Sequence, residues 1–274
     1  MPGGRDEELA RRIEGLLHAN GLAGHVEGLH RLSGGASRET WALDLVGPAR
    51  RALILQRVRS GTVSGGPGMT GEAALMRAAG DLGVPVPTVV ADDPGEALGA
   101  PCMVTERLEG ETIARKLLRD DEWATARARL VPQAAAALAA IHRIDPAVAP
   151  ELKGGDQLEQ LQQMLDGFDQ PLPAFELAVR WLAANRPPSP RTTVVHGDFR
   201  LGNLFVDHEG LAGVLDWELA HLGDPVEDLG WYCVRAWRFG APPPPGRTGT
   251  PEGPPGAYTA ARGGTGGPQA RGRG

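Results

Sequence analysis

The sequence predicts an α+β protein in two parts, and three observations predict it. Up to about Leu108 the pattern is strands and Gly/Pro-rich turns, broken by helical stretches at 6–18 and 72–82. From Glu111 to Ile144, and again over 157–186, apolar residues recur at helical spacing. Between them and the chain end, Val194 to Glu218 reads as an apolar strand, a polar loop and two further short strands. The 274 residues are enough for two lobes, and a 41% apolar content is enough for a core.

Composition narrows the function classes. The net charge of -6 argues against a nucleic-acid partner. Lys116 and Lys153 are the only lysines, so arginine supplies nearly all the positive charge. Cys102 and Cys233 sit in apolar contexts without metal-ligand spacing and read as reduced, buried thiols. No apolar run approaches the ~20 residues of a membrane span, and the first residues lack the apolar core of a signal peptide. The expectation is a cytoplasmic protein with no membrane partner; the oligomeric state is open.

In chain order, Leu9, Ile13, Leu16 and Leu17 mark an amphipathic opening helix that Asn20-Gly21 ends. Leu29 to Leu45 reads as strand, turn, strand. The turn contains Ser33, Gly34, Gly35, Ala36 and Ser37, where backbone N–H groups can approach phosphate oxygens closely; an ordinary hairpin is the alternative. Arg51 to Val58 is a third strand ending in Gln56 and Arg57. Its register is open by one residue, and one residue flips the face. Glu72 opens the next helix, where an acid suits the dipole. Strands follow at Val84–Val90 and Cys102–Leu108. In the helical part, His142 reads as packed and hydrogen-bonded. Pro187 to Pro190 forms a linker into the strand at Val194.

The polar loop carries the chemistry. A two-residue turn at Glu209-Gly210 would set Asn203 opposite Asp216, with Cβ atoms roughly 5 Å apart. An amide oxygen and a carboxylate so placed can share a hard divalent cation. Asp198 precedes that hairpin on the loop. A longer turn would shift the pairing.

The run His196-Gly197-Asp198-Phe199-Arg200-Leu201-Gly202-Asn203 with Asp216 at a second strand end resembles the catalytic signature of kinase-fold phosphotransferases. His-Gly-Asp in place of His-Arg-Asp resembles the aminoglycoside phosphotransferase family. The continuation Asp216-Trp217-Glu218 through Asp224-Pro225 to Trp231 is similar to the kinase-like domain of acyl-CoA dehydrogenase family members 10 and 11.

The resemblance implies a two-lobed protein-kinase-like fold: an N-lobe over 1–108, a C-lobe over 109–240 that stops short, and a tail. It implies ATP and Mg2+ as cofactors and a small hydroxylated acceptor, with a hydroxyacyl compound favoured over an aminoglycoside. Asp198 would be the catalytic acid–base or orienting group, and Asn203 and Asp216 would hold the metal. Ser33 to Ser37 would cover the phosphates. Arg57 would hold them and Glu72 would hold Arg57, with a solvated Arg57 as the alternative. Thr105 to Leu108, with Thr105 and Arg107 as candidates, would form the hinge that reads the adenine edge. His196 would brace the loop, and Asp224 and Asp228 would organise it.

Residues 241–274 have no Leu, Ile, Val, Met, Phe or Trp and are rich in Gly, Pro and Arg. Such a stretch is expected to stay disordered, so removing it should leave the melting temperature unchanged. The resemblance is expected to end near Gly240, with the acceptor-side helices absent or the reading frame altered. Two rival readings remain: a hydrolytic metal site using His196, Asp198 and His221, and a catalytically impaired kinase-like binding module.

Overall fold

The structure, a computed structural model, describes residues 3–32, 38–59, 66–168, 170–186, 191–238 and 253–262. The turn residues Ser33, Gly34, Gly35, Ala36 and Ser37 lie outside them.

The strands β1 (His25–Arg31), β2 (Arg38–Val46), β3 (Arg51–Val58), β4 (Val89–Asp93) and β5 (Cys102–Glu106) form one antiparallel sheet in the order β1-β2-β3-β5-β4. Alternation along the strands sorts its two faces. Trp41, Leu43, Leu45, Leu53, Leu55 and Val104 bury against Ile13, Leu16 and Leu17 of α1 (Gly3–Ala19). On the other face Met103 joins Met69, Ala73, Leu75 and Met76 of α2 (Gly68–Asp81), in a core shared with the helical part of the chain.

Register settles the open question at Gln56 and Arg57. Glu39, Arg57 and Cys102 pair across three strands, as do Thr40, Gln56 and Met103. Successive side chains point to opposite faces. Arg57 therefore shares the α1 face with Cys102, and Gln56 shares the α2 face with Met103.

Beyond the sheet come α3 (Ala114–Arg119), α4 (Ala124–Ile141), α5 (Gln157–Asp166) and α6 (Pro173–Ala184). Ala134, Ala135, Ala137, Ala139 and Ala140 are buried along α4. Their small side chains let neighbouring elements approach its backbone closely. Two small antiparallel pairs carry the polar loop: β6 (Thr193–Val195) with β9 (His221–Gly223), and β7 (Leu204–Asp207) with β8 (Gly210–Val214). Phe199 and Trp217, fully buried, anchor the loop to the core. Next comes α7 (Val226–Tyr232). Among the described residues no helix is long and apolar enough to cross a membrane.

The hairpin expectation is corrected by one residue. Asp207 pairs with Gly210, so the turn is His208-Glu209. The cause is local: Asp207 Oδ1 accepts from the N–H of Glu209 and of Gly210 at 2.7 and 3.0 Å, closing the turn early. Pairing then slips between Phe205 and Val206 and runs to Leu204 opposite Val214. Leu215 N–H donates to Asn203 O at 2.9 Å, so Leu215 stands beside Asn203 and Asp216 begins the loop beyond.

The tail expectation is corrected as well. Within 241–274, Pro254–Ala261 forms a helix, α8, that lies along α4. Tyr258 is 7% exposed and joins the main core. Composition misled because one aromatic ring, with alanines around it, makes an adequate contact surface against an alanine-rich partner.

Candidate active site

β6 delivers the loop. Val194 and Val195 are fully buried, and His196 follows with no exposure. Gly197 has φ 81°, and a Cβ there would sit 2.3 Å from Leu219 O, so no side chain fits. Asp198 comes next, and its carboxylate accepts from three side chains. Arg200 Nε donates at 3.0 and 3.1 Å, Asn203 Nδ2 at 2.7 Å and Trp231 Nε1 at 2.6 Å. Asn203 Nδ2 also donates to Asp198 O at 2.9 Å, which turns its amide oxygen the other way. Arg200 in turn lies 4.9 Å over the Trp237 ring, and Trp237 packs edge-on against Trp231. Trp231 carried no expectation from the sequence; its indole is the contact that reasoning on spacing missed.

His196 joins this loop to the next. Its Nε2 lies 3.0 Å from Leu215 O, and its Nδ1 accepts from Asp198 N–H at 3.2 Å. Its ring packs against Phe199 and Trp217. Burial pushes its pKa down, outweighing the nearby Asp228 charge, so the ring is neutral and donates from Nε2 to Leu215. One side chain thereby fixes Asp198 relative to the residue preceding Asp216.

Asp216 is the one non-glycine with positive φ among the described residues, at 64°. Such a conformation costs energy in a side-chain-bearing residue and concentrates at functional sites. Its side chain is 40% exposed. Burial of part of the group raises its pKa, with the charge of Glu218 adding to this and Arg38 opposing it. A point where acids gather suits a hard cation. Among the described residues no three His, Cys, Asp or Glu side chains form a metal cage. That is compatible with Mg2+, which is usually held by one or two protein oxygens with substrate phosphates completing the shell. Asn203 and Asp216 fit that requirement.

The expected pairing of Glu72 with Arg57 is corrected. Glu72, 2% exposed, pairs with Arg38 at 2.6 Å. Burial drives the Glu72 pKa up to about 7 in spite of that arginine. Arg57 lies on the far face for the pleat reason given above. It donates to Glu39 at 2.8 Å and sits 5.0 Å over the Trp41 ring. Arg38 instead sits where the sheet, α2 and the metal loop meet, 3.2 Å from Glu218 and 4.0 Å from Asp216.

At the expected hinge, Thr105 is buried and Glu106 and Arg107 donate their N–H groups to Thr88 O and Ala52 O. Arg107 reaches Asp44 at 3.6 Å.

Behind the loop lies a fully buried network. Asp228 accepts from His196 N–H at 2.8 Å, Gly197 N–H at 2.9 Å and His142 Nε2 at 3.0 Å. Burial alone would raise the Asp228 pKa; the His142 hydrogen bond and the backbone N–H donors around it outweigh burial and lower it. Asp224 accepts from Val226 N–H at 2.9 Å. Both acids organise the loop as the sequence indicates. His221 bonds to Glu227, 3.0 Å away, and not to Asp198, which leaves the hydrolytic metal reading without its ligand set.

Comparison with known proteins identifies the family to which the chain belongs. The profile of the phosphotransferase enzyme family, APH, matches residues 28–260, twenty residues beyond the expected limit at Gly240. Acyl-CoA dehydrogenase family member 10 of Mus musculus is 30% identical over 240 residues, covering 83% of this chain but 22% of the mouse protein. The chain thus spans about a fifth of that relative's length. Among solved structures, a Ralstonia eutropha protein provisionally named an aminoglycoside phosphotransferase superposes with a TM-score of 0.68 at 22% identity, over 92% of this chain and 80% of that one. The macrolide 2'-phosphotransferase MphH of Brachybacterium faecium gives 0.58 at 18% identity, over 93% and 83%. The fold is the two-lobed kinase-like one that the motif implied, and the chain belongs to the phosphotransferase enzyme family.

Proposed function

We propose that the chain transfers a phosphoryl group from ATP to a hydroxyl of a small molecule, with 1–108 as the nucleotide-binding lobe and 109–240 as the catalytic lobe. The observation that carries this is that Asp198 is bonded to Asn203 and joined through His196 to Leu215, the residue before Asp216, in a chain of this family. Distant neighbours of the same fold have been solved with ADP and hygromycin B, and with ATP and streptomycin, which supports a nucleotide donor and a small acceptor.

Asp198 would receive the acceptor hydroxyl. A carboxylate already holding Arg200, Asn203 and Trp231 is better suited to orienting that hydroxyl than to acting as a strong base, and phosphoryl transfer depends mostly on positioning and charge neutralisation. Asn203 and Asp216 would hold Mg2+, which when bound neutralises phosphate charge. Trp231, Trp237 and Arg200 pack together beside Asp198. The guanidinium of Arg200 beside Asp198 suits a neutral or anionic acceptor better than a polycation. Together with the acyl-CoA dehydrogenase relatives, this favours a hydroxyacyl compound by analogy.

A thermal shift with Mg-ATP tests the reading. Ligand at about 100 times its dissociation constant should add about 2.7 kcal/mol of stability, and Asp216→Ala should remove the shift. A cooperatively melting native chain that shows none would overturn it. The second reading, an impaired kinase-like module, is favoured by one observation: the α2-facing position of β3 holds the uncharged Gln56.

A further inference from the structure

Phosphate binding in the proposed site needs a cation near Asp216, and the chain has no lysine before Lys116. The third strand does not supply one. Gln56 faces α2, and Arg57 faces α1, where it is engaged with Glu39, Leu98 O and the Trp41 ring. The buried acid on α2 is nonetheless in an ion pair. Glu72 takes Arg38, which comes from the first residue of β2, one strand over.

Arg38 has the placement the task requires. Its side chain is 9% exposed, so it is fixed in position rather than solvated. It is the point where three carboxylates converge: Glu72 from α2, and Glu218 and Asp216 from the loop after β8. A guanidinium carries five N–H donors in a planar fork, so it can keep Glu72 and still offer donors to a phosphate. We propose that Arg38, not a residue of β3, is the nucleotide's phosphate-binding cation, moved to β2 and held by Glu72. The inference rests on the phosphotransferase reading. It also accounts for Gln56: the β3 position is free to be neutral because the charge arrives from the neighbouring strand. Arg59, whose Nε is buried with no partner among the described residues, is the rival cation.

The test is equilibrium binding of Mg-ATP and of adenosine to the full chain. Arg38→Met should weaken Mg-ATP by about tenfold or more, the loss expected for one hydrogen bond to a charged group, and should leave adenosine unchanged. Arg57→Met and Arg59→Met should bind both as the native chain does. Adding Gln56→Lys to Arg38→Met should recover part of the Mg-ATP affinity. Native affinity in Arg38→Met, or a larger loss in Arg59→Met, overturns the inference while leaving the phosphotransferase reading intact. A native chain that binds no Mg-ATP removes both. A measurement on the native chain needs no variant to fold: with 15N-labelled arginine, the Arg38 Nε–H resonance should move on adding Mg-ADP and not on adding adenosine. An Arg38 signal that stays still while that of Arg57 or Arg59 moves also overturns the inference.

Discussion

Tyr258 and His142 stand 116 positions apart in the chain and share a buried hydrogen bond of 2.7 Å. The bond starts a relay. Tyr258 donates to His142 Nδ1, His142 Nε2 donates to Asp228, and Asp228 accepts the N–H groups of His196 and Gly197. Helix α8 is thus connected to the loop that carries Asp198.

Tyr258→Phe keeps the ring and removes the hydroxyl. It leaves His142 Nδ1 without its donor in a buried site and should cost about 1 kcal/mol. In a chain of this size that lowers the melting temperature by roughly 2–4 °C. Removing 253–274 should cost more, because Tyr258 also loses its apolar burial. Calorimetry on the two variants checks both, and a native melting temperature in the deletion would show that α8 does not pack.

Asp228→Ala leaves three buried donors without an acceptor and should destabilise the chain by about 3 kcal/mol or more, since each unsatisfied buried donor costs about 1–3 kcal/mol. The acid also makes stability depend on pH. Its folded pKa lies below the ordinary 3.8, so its contribution is fully present above that value and is lost as pH falls through the folded value. The gap in melting temperature between the native chain and Asp228→Asn should be constant above about pH 5 and shrink below about pH 4. A gap that widens in acid would contradict the assignment.

Asp198→Ala should abolish transfer, by a factor on the order of 100 to 10,000 if the group positions or accepts the proton, while Mg-ATP binds as before. Single-turnover transfer measured beside nucleotide binding separates the two effects. Transfer at the native rate would remove Asp198 from its role.

Asp216 gives a pH signature of binding. Its folded pKa is raised above 3.8 by burial and by Glu218. Without metal, the stability linked to this group is present below 3.8 and lost as pH rises through the folded value. A bound Mg2+ requires the ionised form, so affinity should weaken on acidification at a higher pH than an ordinary carboxylate would produce. In Asp216→Asn most of the affinity and this dependence should vanish together. Calorimetric titration across pH reads both, and an identical profile in the variant would exclude Asp216 as a ligand.

The motif over 196–216, with the family resemblance it carries, marked the candidate catalytic stretch in the sequence. His196, Asp198, Asn203 and Asp216 lie within 21 residues, and short spacing in a strand–loop–hairpin leaves few ways to arrange them. The same is true of α1, α2 and α4, whose apolar periodicity is a property of neighbours in the chain. Three things depended on partners that local pattern does not specify. Glu72 meets Arg38 and not Arg57 because side chains alternate along a strand, and one residue of register decides which face a cation occupies. Asn203 lost Asp216 as its opposite number because the Asp207 carboxylate closed the turn one residue early. Tyr258 lies in a stretch whose composition predicts an unpacked tail, because its worth lies in a histidine just past the end of α4 and the acid behind it. The sequence by itself determined which chemical groups are present and, through periodicity, which segments fold. Only the tertiary structure decided which of those groups meet, because burial and hydrogen bonding act between residues far apart in the chain.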